Sequence, residues 1–400
     1  MFQHLFKLIW KRKARNLMLS LELLLAFLVV FAIAAFGVRY AQLYQQPLGY
    51  DSADVWSVTF QDVEDGKASF TADVYDSFKR TLEALPEVRK VAFASTAPFA
   101  SRTMVTDLVP FGGGPTVKTE LAEVSDDFLP LLGVRYVKGR GFDQTDNGQP
   151  GQPVVINRHL AGEMFGTVDP IGKVYDASPP GSKDQTIMRV VGVVEQLRMK
   201  GEFHARENIA IMRHVPGQTM EDMRIMLLKL APGTPRAFEE KLSRELKLVN
   251  KGWRYQIAPL SERRTAELRE QLIPLKVMAV VAGFLLLMVA FGLFGVLWQN
   301  TARRIPEIGL RRAIGASAAD IYRQIIAEQL LLSSLAMGAG LLLLVQLPIT
   351  GALGTSLNWT VFAVAAALSM LVIYLLSLLC SVYPGWRASR MSPTDALHYE

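Results

Sequence analysis

The chain of 400 residues contains one cysteine, Cys380. A single thiol rules out an intrachain disulfide, so packing and not covalent stapling must hold the fold. Histidine is scarce as well. His4, His159, His204, His214 and His398 are scattered, none at metal-ligand spacing with the cysteine or another histidine, which argues against a metal site. No Ser, Cys or Thr sits in a nucleophile motif, which argues against a hydrolase. A phosphate loop is missing too. The nearest stretch, Gly166 to Gly172-Lys173, has five residues between its glycines and Val174 after the lysine. A Walker loop has four, then Ser or Thr to hold magnesium. That stretch reads as a turn, as does Gly112–Gly114. Charge is absent from the connection Gln346–Trp359, and acid is absent from the flank that carries Lys7, Lys11, Arg12, Lys13 and Arg15.

Four apolar runs are present: Leu17–Val38, Leu275–Trp298, Ile325–Val345 and Val361–Val382. Each reaches the roughly 20 residues that a helix needs to cross a bilayer. The spacing predicts an α-helical membrane protein of four transmembrane helices, with one large extracytoplasmic domain between the first and second. Basic residues set the orientation. They flank the first run, recur as Arg303, Arg304, Arg311, Arg312 and Arg323 between the second and third, and close the chain as Arg387 and Arg390. Both termini are therefore expected in the cytoplasm and the large domain in the periplasm, with the chain in the inner membrane. Residues 39–274 hold 30 Lys plus Arg against 31 Asp plus Glu, so the net charge of +6 belongs to the cytoplasmic side. A nucleic-acid reading would need a basic patch on a folded domain. The first run is longer than a signal peptide's and lacks a clean small-x-small cleavage site, so it reads as a retained anchor.

Residues 1–16 read as an amphipathic helix on the cytoplasmic face, with Phe2, Leu5, Phe6, Ile9 and Trp10 on one side. From Leu17 no strong helix breaker occurs before Pro47, about 45 Å of helix against ~30 Å of hydrocarbon. Residues 17–46 are thus a span plus a projecting stalk. Residues 261–298 mirror it, with Ser261 as N-cap and Pro274 as a kink at the boundary. The domain 47–260 reads as an α/β (α+β) fold built on a split pair of βαβ units. The first has strand Asp54–Phe60, helix Ala72–Leu85 and strand Arg89–Ala94. The second has Met223–Leu230, Pro235–Leu248 and Trp253–Ala258. The two lie in parts 50–100 and 215–260, and an inserted subdomain, 101–214, carries strands Pro153–Asn157 and Arg189–Val194. Segment 299–324 is a cytoplasmic connection holding a short helix with an apolar stripe of Ile305, Ile308, Ala313 and Ile314. Gly315 ends it as C′, and Ser317 with Asp320 forms a capping box for the next helix. Spans at 325–345 and 361–382 and a cytoplasmic tail, 383–400, complete the chain.

The stretch RRIPEIGLRRAIGASAADIYRQIIAEQLLLS (303–333) resembles the signature of MacB/FtsX-type ABC transporter permeases, and the tail YPGWRASRMSPTDALHYE (383–400) resembles that family's end. DDFLPLLGVRYVKGRGFD (126–143), PVVINRHLAGEMFG (153–166), PIGKVY (170–175) and VVGVV (190–194) resemble the MacB-type periplasmic core. The resemblance implies a ferredoxin-like part with an inserted subdomain, on a helical stalk, and two subunits side by side. It implies a non-catalytic permease whose partner ATPase binds ATP and magnesium and moves the stalk, which is mechanotransmission. It also implies a periplasmic adaptor and an outer-membrane channel, and export of a peptide, antibiotic, toxin or similar substrate. Lipoprotein release and FtsX-like regulation of a cell-wall hydrolase are the neighbouring alternatives. MacB carries its ATPase on the same chain and this sequence does not. Pro306 stands where the family keeps a helix former.

A short charged helix can seat in a partner's groove and transmit force. Arg303, Arg304, Glu307, Arg311 and Arg312 are the residues expected to do so. The resemblance extends the ATPase-coupling set to Ile308, Gly309, Gly315, Ala316 and Ser317. Gly283, Gly292, Gly295, Ser334, Gly338 and Gly340 are candidates for close helix packing in the membrane. Glu22 and Glu328, acids within spans, are candidates for proton coupling or for pairing with Arg15 or Arg323.

Overall fold

The structure, a computed structural model, describes residues 13–61, 72–100, 103–178, 181, 185–214 and 223–390. The expected amphipathic helix lies in large part at residues 1–12, outside the described residues, as do 391–400 of the tail. Residues 13–16 belong to the first long helix, not to a separate one. The chain forms two compact units, Leu43–Gln271 and the combination of Met1–Gln42 with Leu272–Glu400.

The first unit is α/β. Its strands are β1 (Val55–Gln61), β2 (Val88–Ala94), β3 (Met104–Leu108), β4 (Val117–Val124), β5 (Tyr136–Gly139), β6 (Gln152–Asn157), β7 (Val174–Asp176), β8 (Ile187–Val194), β9 (Ile209–Arg213), β10 (Ile225–Leu230) and β11 (Arg254–Pro259). The eight strands and helices expected from the sequence form within a few residues of their predicted bounds. β3, β4, β5, β7 and β9 were not anticipated; they are short or lie in Gly- and Pro-punctuated stretches. The order β11-β1-β10-β2, all antiparallel, with crossover helices Ala72–Glu83 and Phe238–Val249, is ferredoxin-like. β3–β9 form the insertion, which runs from the end of β2 to the start of β10, wider than the expected 101–214. The halves share one sheet through a single register pair, Ala94 with Val124. The Ser95 and Ser125 amides reinforce it by donating to the Glu123 and Phe93 carbonyls, each at 2.9 Å.

Alternation along the strands sorts the side chains into cores. In β1, Val55 faces one core while Trp56, Val58 and Phe60 face another. β10 does the same with Leu227 against Met226, Leu228 and Leu230. The crossover helices bury Tyr75, Phe78 and Leu82, and Phe238, Leu242 and Leu246, at helical spacing over the aromatic face. Phe78 stacks on Trp253 at 5.8 Å. The opposite face is continuous across both halves. It takes Ala92 and Ala94 from one and Ala122, Val155, Val191 and Ile211 from the other, closed by helix Phe128–Leu131 and by Leu260. The insertion has its own core of Val154, Ile156, Leu160, Met188, Val190 and Met212.

The second unit is helical. Helices Lys13–Tyr44, Leu260–Ala302, Ala318–Leu344 and Trp359–Arg390 all exceed membrane length. Helix Leu260–Ala302 starts on Leu260, so Ser261 lies inside its first turn and is not the N-cap; Pro274 stands within it. The last helix continues through Pro384 to Arg390, past the expected boundary at 383, and Asn358 caps its start by accepting from the Val361 amide at 2.9 Å. The uncharged connection folds into the short turns Gln346–Thr350 and Gly354–Leu357.

Leu19, Leu23, Phe27 and Phe31, spaced four apart, bury one stripe of the first helix. Gly340 lets the third long helix approach it; a side chain there would overlap the Phe27 ring. Gly292 approaches the same helix against the Glu22 carboxylate. Ser334 bonds the Tyr374 hydroxyl, and Ser333 the Ser377 hydroxyl, each at 2.7 Å. Gly283, Gly295 and Gly338 face open space within the subunit. Of the six packing candidates, Gly292, Ser334 and Gly340 therefore pack between helices here. Replacing Gly340 by Leu is expected to destabilise the helical unit by about 1–3 kcal/mol through overpacking. Gly338→Leu is expected to leave the thermal midpoint of the purified chain unchanged; equal losses in both variants would contradict this packing.

Candidate coupling site

Helix Ile305–Ala313 follows the second long helix after a break at Arg303–Arg304. Pro306 sits in its first turn, where the missing N–H costs nothing. Gly315, at φ +107°, ends it, and its N–H bonds the Arg312 carbonyl at 3.1 Å. Ser317 and Asp320 then form the capping box of the next helix. These local signals were legible in the sequence.

The apolar stripe is a different one from that expected. Ile305, Ile308 and Gly309 are buried, with Ile308 and Ala316 packed against Ile321 and Ile325. Ala313 and Ile314 face outward, because a helix of nine residues ends before it turns them inward. Ile314 is 79% exposed and Leu310, four residues earlier, 56%. Together with exposed Pro306 they make an apolar knob, and exposed Arg303 and Glu307 border it in the sequence. Leu310 and Ile314 were missed as site residues. The i, i+4 spacing was visible, but which of two apolar stripes is buried depends on the partner helix.

The arginines divide by role. Arg304 is half-buried and bonds Glu328 at 2.5 Å; Gln324 donates to the same carboxylate at 3.0 Å. Among the residues whose side chains are described, Glu328 is thus paired with Arg304 and not with Arg323; the Arg15 side chain lies outside them. Arg311 bonds Gln324 at 2.8 Å and Glu307 at 2.6 Å. Arg312 is half-buried. The half-buried Arg304–Glu328 pair pins the start of the short helix to the third long helix.

The α/β unit holds a second cluster with no sequence signature. Arg198 is 5% exposed and donates to the carbonyls of Leu43 and Gln46 at 3.0 Å, of His204 at 2.8 Å, and of Glu202. The buried Glu202 carboxylate takes Arg264, in the first turns of helix Leu260–Ala302, at 2.5 Å. Gln271 joins His204 at 3.0 Å to Glu267 at 2.9 Å. Gly49 permits the close approach, since a side chain at its φ of +90° would overlap the Gln196 carbonyl. The loop 196–207 therefore clasps the end of the first long helix to the start of the second.

Beside this clasp, Lys200 bridges Glu120 and Glu207, and Thr103 donates to Glu120 at 2.9 Å. Burial, then the neighbouring Glu207 carboxylate, outweighs Lys200 and pushes Glu120 up to about 7.

A family model described as MacB-like periplasmic core domain matches residues 21–245, more than half of the chain, and one described as FtsX-like permease C-terminal matches 279–393. The chain belongs to the MacB/FtsX-type ABC transporter permeases. It is 24% identical over 401 residues to the macrolide export ATP-binding/permease protein MacB of Bordetella avium (strain 197N), covering 97% of this chain and 58% of the relative. It is 26% identical over 267 residues to macrolide export ATP-binding/permease protein MacB 1/2 of Paracoccus denitrificans (strain Pd 1222), covering 66% of this chain and 38% of that one. The chain thus spans about two-fifths to three-fifths of the length of these relatives. The crystal structure of the periplasmic region of MacB from Actinobacillus actinomycetemcomitans aligns at a TM-score of 0.39 and 14% identity, over 57% of this chain and 98% of that one.

Two outcomes follow from these contacts. Arg304→Ala leaves the half-buried Glu328 without its cation and is expected to cost about 1.5–3 kcal/mol. Arg311→Ala, at a more exposed pair, is expected to cost ~0–1 kcal/mol; denaturation of the purified chain distinguishes them. For Glu120 the folded value lies above the ordinary 4.5, so its contribution to stability is present below 4.5 and lost as pH rises through about 7. Melting across that window should show a decline in wild type that Glu120→Gln removes.

Proposed function

We propose that the chain is the non-catalytic permease subunit of an ATP-driven transporter, seated in the inner membrane with its termini in the cytoplasm and its α/β unit in the periplasm. Four helices of membrane length support insertion. So does the exposed apolar face of Leu260–Ala302, with Val280, Phe284, Leu287 and Phe291, which water would disfavour. Arginine-rich flanks support the orientation.

In this reading an ATPase partner, which holds ATP and magnesium, docks on helix Ile305–Ala313. The single observation that carries the reading is the two-sided character of that helix. One side is bolted to the bundle by Ile308 and Arg304, and the other offers Leu310 and Ile314 to a groove. Arg303, Glu307, Arg311 and Arg312 supply its charge, and Gly315, Ala316 and Ser317 its fixed exit. Displacement of the helix would be carried by the two long helices as a stalk to the clasp at Arg198, and so to the α/β unit. The names of the relatives support export, and a peptide, antibiotic, toxin or similar molecule is the proposed substrate class. A second permease copy or a paralogue, a periplasmic adaptor and an outer-membrane channel are the proposed further partners.

The test is co-purification from the native membrane followed by an ATPase assay. Leu310→Asp, at an exposed position, and the double reversal Arg311→Glu with Arg312→Glu are each expected to weaken ATPase association by about tenfold or more. The thermal midpoint of the Leu310→Asp chain should not change. A chain that carries no ATPase out of the membrane under several mild detergents would overturn the reading.

A further inference from the structure

Four aromatic rings form a column across helices Leu260–Ala302 and Trp359–Arg390. Phe294 and Trp298 lie one turn apart on the first, and Tyr383 and Trp386 on the second. Trp298 and Tyr383 are 5.9 Å apart with planes only 7° from parallel. Phe294 is 6.2 Å from each of them, and Trp386 is 6.3 Å from Tyr383. These are ordinary offset-stacking distances. Phe294, Tyr383 and Trp386 are nevertheless exposed, so the column presents a π surface outward.

Arg387 lies over the Trp298 indole with its guanidinium 4.5 Å from the ring centroid. Among the described residues nothing accepts its N–H groups. A guanidinium carries its donors in its own plane, the fork that a phosphate accepts in bidentate fashion. Beside the column, Gly295 leaves open space where a side chain would stand. The same helix face continues through Phe291, Leu287, Phe284 and Val280, all exposed. From residue 280 to 294 that is about 21 Å at 1.5 Å per residue. Half of a ~30 Å hydrocarbon core is shorter, so the face can accommodate one acyl chain of a single leaflet.

We propose that the column is a binding site for one anionic phospholipid of the cytoplasmic leaflet, its phosphate on Arg387 and an acyl chain along the face from Gly295 to Val280. The proposal rests on the membrane reading given above. Charge favours an anionic lipid over a zwitterionic one, because a choline or ethanolamine headgroup brings its own cation to its phosphate. Residues 299–324 add five arginines against two acids. Both acids are engaged within the chain, Glu307 by Arg311 and Asp320 by Ser317. A second copy of the chain seated here would bring apolar helix and leave the guanidinium without an acceptor.

The test uses the full chain in nanodiscs of phosphatidylcholine. A minor fraction of either phosphatidylglycerol or phosphatidylcholine carries bromine on its acyl chains, and Trp298→Phe isolates the Trp298 fluorescence. Brominated phosphatidylglycerol should quench Trp298 at about a tenfold lower fraction than brominated phosphatidylcholine. Arg387→Ala should abolish the difference, and Arg387→Lys, which keeps the charge without the fork, should reduce it. Arg387 is exposed and its packing is confined to the Trp298 ring, so both variants should fold, and unchanged melting would verify this. Equal quenching by the two lipids would overturn the proposal in favour of a plain lipid belt. No quenching by either, in a chain that co-floats with the discs, would overturn it in favour of a protein-covered face. A chain that does not enter the discs at all would overturn the membrane reading itself.

Discussion

The α/β unit is organised around a buried arginine. Arg198 carries five N–H donors into a buried site, and a charge there is tolerable only if the fold supplies acceptors. It does so with backbone carbonyls from the end of the first long helix and from its own loop. Backbone carbonyls cannot be mutated away, so the geometry is set by the path of the chain. Glu202 extends the arrangement to Arg264, and the two long helices are held at their ends by one loop. A displacement of either helix end would strain this charged network, because a buried polar network loses much when one member moves.

In the helical unit the corresponding constraint is steric. Helices apolar on most of their surface are not told apart by apolar area, so small residues and short polar contacts decide where they touch. Gly340 against Phe27, Gly292 against Glu22, and the hydroxyl pairs Ser333–Ser377 and Ser334–Tyr374 are those contacts. The Arg304–Glu328 pair fixes the short helix to this frame. It also gives Glu328, an acid within a span-length helix, a cationic partner inside the chain.

Much of the fold was legible because it rests on periodicity. Alternation in β1, apolar runs in β2 and β10, and spacing of three or four in helices Ala72–Glu83 and Phe238–Val249 identified both βαβ units. Gly315 and the Ser317–Asp320 box marked helix ends, because caps are local hydrogen-bond arrangements. The strands of the insertion were harder to read. β9 is buried throughout, so its apolar run does not alternate, and β4 buries Thr119, Glu120 and Glu123, polar residues that mask a strand pattern. The apolar knob was misread for another reason. Ile305, Ile308, Leu310 and Ile314 satisfy more than one helical stripe, and only packing against Ile321 selects which one is buried.

By itself the sequence determined the number and length of the apolar helices, the positions of the basic flanks, the local caps and the family. Each of these depends on composition or on neighbours within a few residues. Tertiary structure alone decided that Arg198 joins Leu43 and Gln46 across more than 150 positions, that Glu328 pairs with Arg304, and that Trp298 stacks on Tyr383 with Arg387 over its ring. Contacts of that kind need the crossing of two helices or the return of a loop. No periodicity encodes a partner that the chain reaches only after folding.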